Sequence, residues 1–400
     1  MKIDAYSILV LFSILVVLSY LFNYLSGKLH IPSVLLLILS GIGLRLLGDE
    51  FEILLPQSRI TLEILGVSGL ILIVLEASLE LKITREKLRL IGLALLSAFA
   101  LLGITALITA LIFKSYYGAG FRQAMLHAIP LSVISSAIAI PSVSSLEDQR
   151  REFVVYESTF SDILGILAFN YFLVDHSTGL GAIAGFSWDL VLIVVISVLS
   201  TVLLVFLLNH SMSHVRFFLT FAVIVLVYSL AKYFHLPSLI LVLCFGLVLN
   251  NFNSFGFPIV HRFISFGKLA DVAKELKVMT TETAFIIRTF FFLLFGYTIN
   301  LALITTQEVL VTGFGFILLT IILRFIFIHY FLKIRSTPLS LIAPRGLITI
   351  LLFNSIPVTD RIESLSEGVL FVVIGLTSIV MTIGLLISHA QAKEKIEDTI

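Results

Sequence analysis

Pro130-Leu-Ser-Val-Ile-Ser-Ser-Ala-Ile-Ala-Ile-Pro141, followed by Glu157-Ser-Thr-Phe-Ser-Asp162, decides how the whole chain is read. The first stretch is an apolar helix interrupted by prolines. A short basic turn with Arg150 and Arg151 follows, then a second apolar helix carrying two carboxylates. A carboxylate at membrane depth is expensive, so it marks a functional site by default. The surrounding composition makes that depth real. Of 400 residues, 59% are hydrophobic and 13% charged. A soluble domain carries about 25% charge, so the chain reads as a membrane protein crossing the bilayer many times. Its single cysteine, Cys244, excludes an intramolecular disulfide and reads as a packing residue.

Apolar runs predict an all-α polytopic fold of about 13 transmembrane helices. They fall at 5–26, 31–48, 60–80, 89–114, 123–145, 153–175, 182–208, 215–233, 237–252, 280–300, 308–331, 337–356 and 366–388. The first run is long for a signal peptide and reads as a membrane helix. The stretch 253–279 is the one long polar connection, with an interfacial helix expected around Lys268–Lys277. No soluble regulatory domain is expected. Between spans, 16 lysines and arginines fall on one side and 7 on the other, with Arg288, Arg324 and Arg345 inside spans. The richer side is expected to be cytoplasmic. The N-terminus is then outside and the C-terminus inside, as an odd number of spans requires.

The chain also repeats. His30, Pro32, Ser33 and Gly41 recur as His235, Pro237, Ser238 and Gly246. This pairs span 2 with span 9 and predicts a first repeat at 1–175, a linker helix at 176–212 and a second repeat at 213–390. Seven crossings separate equivalent helices, so the repeats are inverted, a pattern of secondary transporters. Span 5 should then match span 12, and both should be broken. Span 5 has Pro130 and Pro141; span 12 has Pro338, Pro344, Arg345 and Gly346. Paired broken helices point to a transport site, because their freed backbone groups must line a cavity or meet a partner.

Asp162 lies about ten residues into span 6, roughly 15 Å at about 1.5 Å per residue, close to the midplane. Ser135, Ser136 and Arg345 lie at the same depth on spans 5 and 12. Glu157 and Ser161, and Ser158 and Asp162, are four residues apart and form two polar rows on one face. One hard carboxylate with the hydroxyls of Ser135, Ser136, Ser158 and Ser161 suits a small hard cation, Na⁺ or Li⁺, and lacks the soft ligands of a transition-metal site. A proton competes for the same oxygens, which by itself yields antiport. Glu157 reads as the structural ion-pair partner of Arg345, which would hold spans 6 and 12 in register, ahead of a direct ion-binding role. Glu76 is an accessory candidate, either reaching into water or on the cytoplasmic entry path. Arg288 is a second possible partner for Asp162. His30 and His235 read as helix-start residues.

Several of these pieces resemble, in order, the monovalent cation:proton antiporter superfamily of sodium/proton exchangers. Leu75-Glu76-Ala77 resembles a Phe-Glu-Ala motif of the third span, and Ser135-Ser-Ala-Ile-Ala139 the unwound helix of the potassium-efflux branch. Glu157-Ser158-x-x-Ser161-Asp162 resembles Glu-Ser-x-x-Asn-Asp of the electroneutral branch. Phe291-Phe-Leu-Leu-Phe-Gly296 and Pro344-Arg345-Gly346 resemble its Phe-Phe-x-x-x-Gly and Leu-Arg-Gly segments. The resemblance implies a homodimer and an elevator-like core with crossing broken helices. It also implies Asp162 as carrier, with Glu157 and Arg345 as a structural pair. Two departures stand out. Ser161 replaces the Asn or Asp before the final Asp, and Ala139-Ile140-Pro141 stands where Thr-Asp-Pro is expected. Lacking a second acidic residue at 161, the chain is expected to exchange one charge for one.

The expectation is therefore a monovalent cation/proton antiporter of a bacterial-type inner membrane, Na⁺ first, working by alternating access. Its partners are the cation, protons and lipid. No enzymatic activity, cofactor or nucleic-acid partner is expected. The competing readings are K⁺/H⁺ exchange, an organic-anion carrier using Arg345 or Arg288, and a non-transporting membrane subunit.

Overall fold

The computed structural model describes residues 5–29, 31–50, 59–81, 84–143, 146–173, 191–192, 195–196, 199–200, 216–233, 238–251, 266–333 and 338–397. Every regular element among them is helical. In order these are α1 (Ala5–Leu29), α2 (Ser33–Glu50), α3 (Arg59–Glu80), α4 (Leu88–Tyr117), α5 (Phe121–Ser132), α6 (Ser136–Ser142) and α7 (Asp148–Leu173). There follow α8 (Arg216–Tyr233), α9 (Ser238–Asn250), α10 (Phe266–Thr298), α11 (Leu301–Ile304), α12 (Gln307–Ile326), α13 (Leu347–Asn354) and α14 (Gly368–Glu397). The expected span at 182–208 lies mostly outside the described residues.

Helix α4 shows why these residues suit a bilayer. Its buried stripe is Ala94, Ala98, Leu101, Thr105, Ala106, Thr109, Ala110 and Phe113, mostly small and three or four residues apart. Its opposite face exposes Leu95, Leu96, Phe99, Leu107 and Leu111, which are large and apolar. A water-facing helix would be polar there. Small residues inward and large apolar residues outward is the pattern of helices packed within lipid. Helices α12 and α14 repeat its outer face, exposing Val311, Phe314, Leu318 and Ile322, and Ile379, Ile383 and Leu386.

Among the described residues, five segments are long and apolar enough to cross a membrane unaided: Leu88–Tyr117, Phe121–Ser142, Ala273–Thr298, Gln307–Phe331 and Gly368–His389. Shorter apolar helices are Ser13–Ser26, Ser33–Leu47, Leu219–Tyr233 and Ser238–Asn250.

Two expectations change. The segment 268–277 is not a separate interfacial helix: it is the first third of α10, which runs unbroken from Phe266 to Thr298. No proline interrupts that stretch, and α-helical hydrogen bonding continues through its polar residues. The break in span 5 is also not at its prolines. Pro130 lies within α5 and Pro141 within α6; the chain is extended between them, at Val133 (φ −67°, ψ 130°) and Ser135 (φ −78°, ψ 115°). In span 12 the turn at 338–341 leads through an open segment at 342–346 into the eight-residue α13.

Described contacts divide the chain into two compact units. The first comprises Met1–Gly66, Gly92–Gly165 and Ile286–Ile400. Within it α1 packs on α2, α5 on α13, and α12 along α14, where a Cβ on Gly313 would meet the Val372 side chain. The second comprises Val67–Ile91 and Ile166–Phe285. There α8 packs on α9, with Ala231, Ile240 and Leu241 at the centre of an apolar cluster that includes Cys244.

Candidate cation site

All the polar groups at the two breaks belong to the first unit. Leaving helical geometry at 133–135 frees backbone groups that would be costly to bury unpaired. Three consecutive N–H groups each find a different acceptor. Ile134 donates to Ser161 Oγ at 2.9 Å, Ser135 to the carbonyl of Pro344 at 2.8 Å, and Ser136 to Asp162 Oδ2 at 3.2 Å. One break is thus tied both to α7 and to the other break. The crossing is close: a Cβ on Gly346 would overlap Ser135 Oγ and the side chain of Ile138. One on Gly165 would overlap Val133. Glycine at these two positions leaves room for the side chains of Ser135, Ile138 and Val133.

Asp162 is 4% exposed. Its Oδ2 also accepts from Ser136 Oγ, at 2.5 Å. Its Oδ1 has no protein partner, and neither does the buried hydroxyl of Ser135. A buried carboxylate oxygen and a buried hydroxyl, both unpaired, are groups that ordinarily demand a partner. They are what a dehydrated small cation would complete. Ser158 is buried with its hydroxyl donated to the carbonyl of Val154 at 2.7 Å, leaving its lone pairs as acceptors. Ser161 holds the break through Ile134, so its oxygen is already partly engaged. No cluster of three His, Cys, Asp or Glu side chains suited to a metal occurs among the described residues.

The expected ion pair is reassigned. Glu157 pairs with Arg324 of α12, not with Arg345. Arg324 donates Nη1 to Oε1 at 2.9 Å and Nη2 to Oε2 at 2.5 Å, with both side chains 1% exposed. Ser97 of α4 adds a third hydrogen bond to Oε1 at 2.5 Å, and Arg324 Nε donates to the carbonyl of Leu339. The physical reason lies in the breaks. Arg345 is claimed by carbonyls that the breaks leave without helical partners: its Nε donates to Leu131 at 2.6 Å and its Nη1 to Ala343 at 2.8 Å. Its own N–H is taken by Thr377 Oγ1, and its guanidinium lies over the Phe316 ring, 5.6 Å from the centroid. Arg288 comes within 3.4 Å of the carbonyl of Ala137 rather than bonding Asp162. Glu76 is half-buried on α3, in the second unit.

Three contributors escaped the sequence reading: Arg324 as the partner of Glu157, and Ser97 and Thr377 as hydrogen-bond partners. Two arginines in neighbouring spans look alike as sequence. Only the choice of which carbonyls each must cap separates them.

The family model for "sodium/hydrogen exchanger, transmembrane" matches residues 12–390. The chain belongs to this family. The exchanger is thus a multi-pass membrane protein of a cation/proton antiport family. No curated protein matches it by sequence. Two solved structures of the sodium proton antiporter MjNhaP1 from Methanocaldococcus jannaschii are similar to the exchanger in fold. One, at pH 8, is 18% identical, covers 94% of this chain and 95% of that one, and has a TM-score of 0.66. The other, from electron microscopy, is also 18% identical, covers 98% and 97%, and has a TM-score of 0.68. The exchanger shares with them the helical membrane fold over nearly its whole length.

Proposed function

We propose that this exchanger carries one monovalent cation, Na⁺ in the first place, against one proton, with Asp162 binding either in alternation. The observation that carries the reading is the half-satisfied carboxylate: Oδ2 anchored twice by Ser136 with Oδ1 open, while the buried hydroxyl of Ser135, one residue before Ser136, is open too. Ser136 holds the carboxylate in place whichever ion occupies the other oxygen. Ser135, and the lone pairs of Ser158, supply further oxygens suited to a hard cation. Family membership and the likeness to a sodium proton antiporter support the same choice.

One-for-one exchange follows from a charge count at the site. Glu157 is neutralised in a bidentate pair, and residue 161 is an uncharged serine. Asp162 is left as the one carboxylate free to exchange, so each half-cycle carries the same net charge. An organic-anion carrier has less support, because Arg345, its main candidate anchor, already donates to Leu131 and Ala343. Residence in the bacterial plasma membrane, an outside N-terminus, a cytoplasmic C-terminus, inverted repeats and a homodimer complete the proposal. The lysine and arginine asymmetry and the 205-residue repeat support the sidedness and the repeats.

The test is transport in proteoliposomes with an imposed pH gradient, screened with Na⁺, K⁺ and Li⁺, for the native protein and Asp162→Asn. Cation-dependent proton movement in the native protein, lost in Asp162→Asn, is expected. Undiminished exchange by the variant would sink the proposal, and rates that follow a clamped membrane potential would sink its one-for-one stoichiometry.

A further inference from the structure

Two contacts, one in each unit, obey the same pair of sequence offsets. In the first unit, Gly41 of α2 lies against the backbone of α10: an added Cβ would overlap atoms of Leu293, Gly296 and Tyr297. One turn on, Arg45 donates to the carbonyl of Ile299, the first residue past the end of α10. In the second unit, Gly246 of α9 lies against α3: an added Cβ would overlap Ser78 and approach Leu75. One turn on, Asn250 donates at 3.1 Å to the carbonyl of Leu81, the first residue past the end of α3. Asn251 reinforces it at 2.8 Å.

Positions 41 and 246 differ by 205, and so do 45 and 250. Positions 75 and 293, 78 and 296, and 81 and 299 all differ by 218. A glycine meeting the same two positions of a neighbouring helix, then a polar side chain capping that helix one turn later, has occurred twice. The match in contacts, not in residue type, carries this: Arg45 answers to Asn250 and Gly296 to Ser78.

We infer that these are two copies of one clamp, α2 on α10 and α9 on α3, and that each stays closed throughout transport. The physical ground is the absence of slack. With Gly41 against the backbone of α10 and Gly246 against the Ser78 side chain of α3, neither pair can slide without overlap, and the cap holds the last turn against sliding. Motion must then take place elsewhere, at groups with open partners such as those at the breaks. That the clamps stay closed in transport rests on the exchanger reading above. That they are equivalent close-packed contacts does not.

Two measurements keep those parts apart. For the packing, Gly41→Ala and Gly246→Ala should each lower the melting temperature of the purified protein by about 5 °C or more. Gly43→Ala, where a Cβ meets nothing within 4 Å, should not. Equal melting of Gly41→Ala and Gly43→Ala would overturn the clamps, whether or not the protein transports. For their constancy, spin labels go on Leu46→Cys with Leu301→Cys, and on Thr84→Cys with Val248→Cys, in a Cys244→Ser background. Each pair should keep its distance, to within about 2 Å, between Na⁺-rich alkaline and Na⁺-free acidic media. A state-dependent distance in either pair would overturn the inference while leaving the antiport reading, measured on the same vesicles, to stand or fall by itself.

Discussion

Glu157 and Arg324 offer the sharpest test of how the broken helices are held. Both side chains are 1% exposed, and the pair is bidentate at 2.9 and 2.5 Å. Arg324→Gln leaves a buried carboxylate with Ser97 as its remaining bonded partner. Removing one member of such a pair costs about 3–5 kcal/mol. The carbonyl of Leu339 loses its donor as well, worth about 1–3 kcal/mol if it stays dry. At about 1.2 °C per kcal/mol for a chain of this size, the two losses together lower the melting temperature by about 5–10 °C. Glu157→Gln with Arg324→Gln removes the charges together, so the double variant should be less damaged than the sum of the singles by roughly 3 kcal/mol. The same cycle between Glu157 and Arg345 should give a clearly smaller coupling, because Arg345 spends its guanidinium on Leu131 and Ala343. The assay is thermal unfolding in detergent, followed by loss of the monodisperse peak. Larger coupling of Glu157 to Arg345 than to Arg324 would refute the assignment.

Ser161→Ala should leave the N–H of Ile134 buried without its acceptor, lowering stability by about 1–3 kcal/mol and transport with it. Melting and exchange rate at the native level would show that the break does not need this anchor. Ser136→Ala removes one of two hydrogen bonds to Asp162 Oδ2 and retains the backbone one. The apparent KM for the cation should therefore change by several-fold while the protein melts as the native chain does. A variant with native KM would show that the hydroxyl does not shape the site.

Much of this was legible in the residues, for reasons that differ from one feature to the next. Asp162 stands out in the sequence because a carboxylate in a lipid-depth helix is rare enough to be informative alone. Pairing span 5 with span 12 points to two broken helices, but proline chemistry misplaces the break in span 5. Pro130 and Pro141 both sit inside helices, while the extended residues 133–135 bear no special backbone signal. What opens the helix there is tertiary: Ser161, Pro344 and Asp162 offer acceptors to three N–H groups that would otherwise bond within the helix. No local rule reveals acceptors as far along the chain as Pro344 is from Ser135. Arg345 was mispaired for the same reason. Its partners are main-chain carbonyls, which every residue has, so the sequence cannot advertise them. The proposed repeat shows in the sequence through four residues, His30, Pro32, Ser33 and Gly41, against His235, Pro237, Ser238 and Gly246. The capping relation of Arg45 to Asn250 does not, because the side chains differ and only their acceptors correspond.

Competition between proton and cation at Asp162 is the centre of the account. It is tested most directly by the pH dependence of the apparent KM for Na⁺ in proteoliposomes, with both compartments buffered and the potential clamped. One proton and one cation sharing a carboxylate predict that, on the acid side, KM rises about tenfold per pH unit while the maximal rate at saturating Na⁺ is retained. A KM that stays constant with pH, with the maximal rate alone falling, would contradict a shared site.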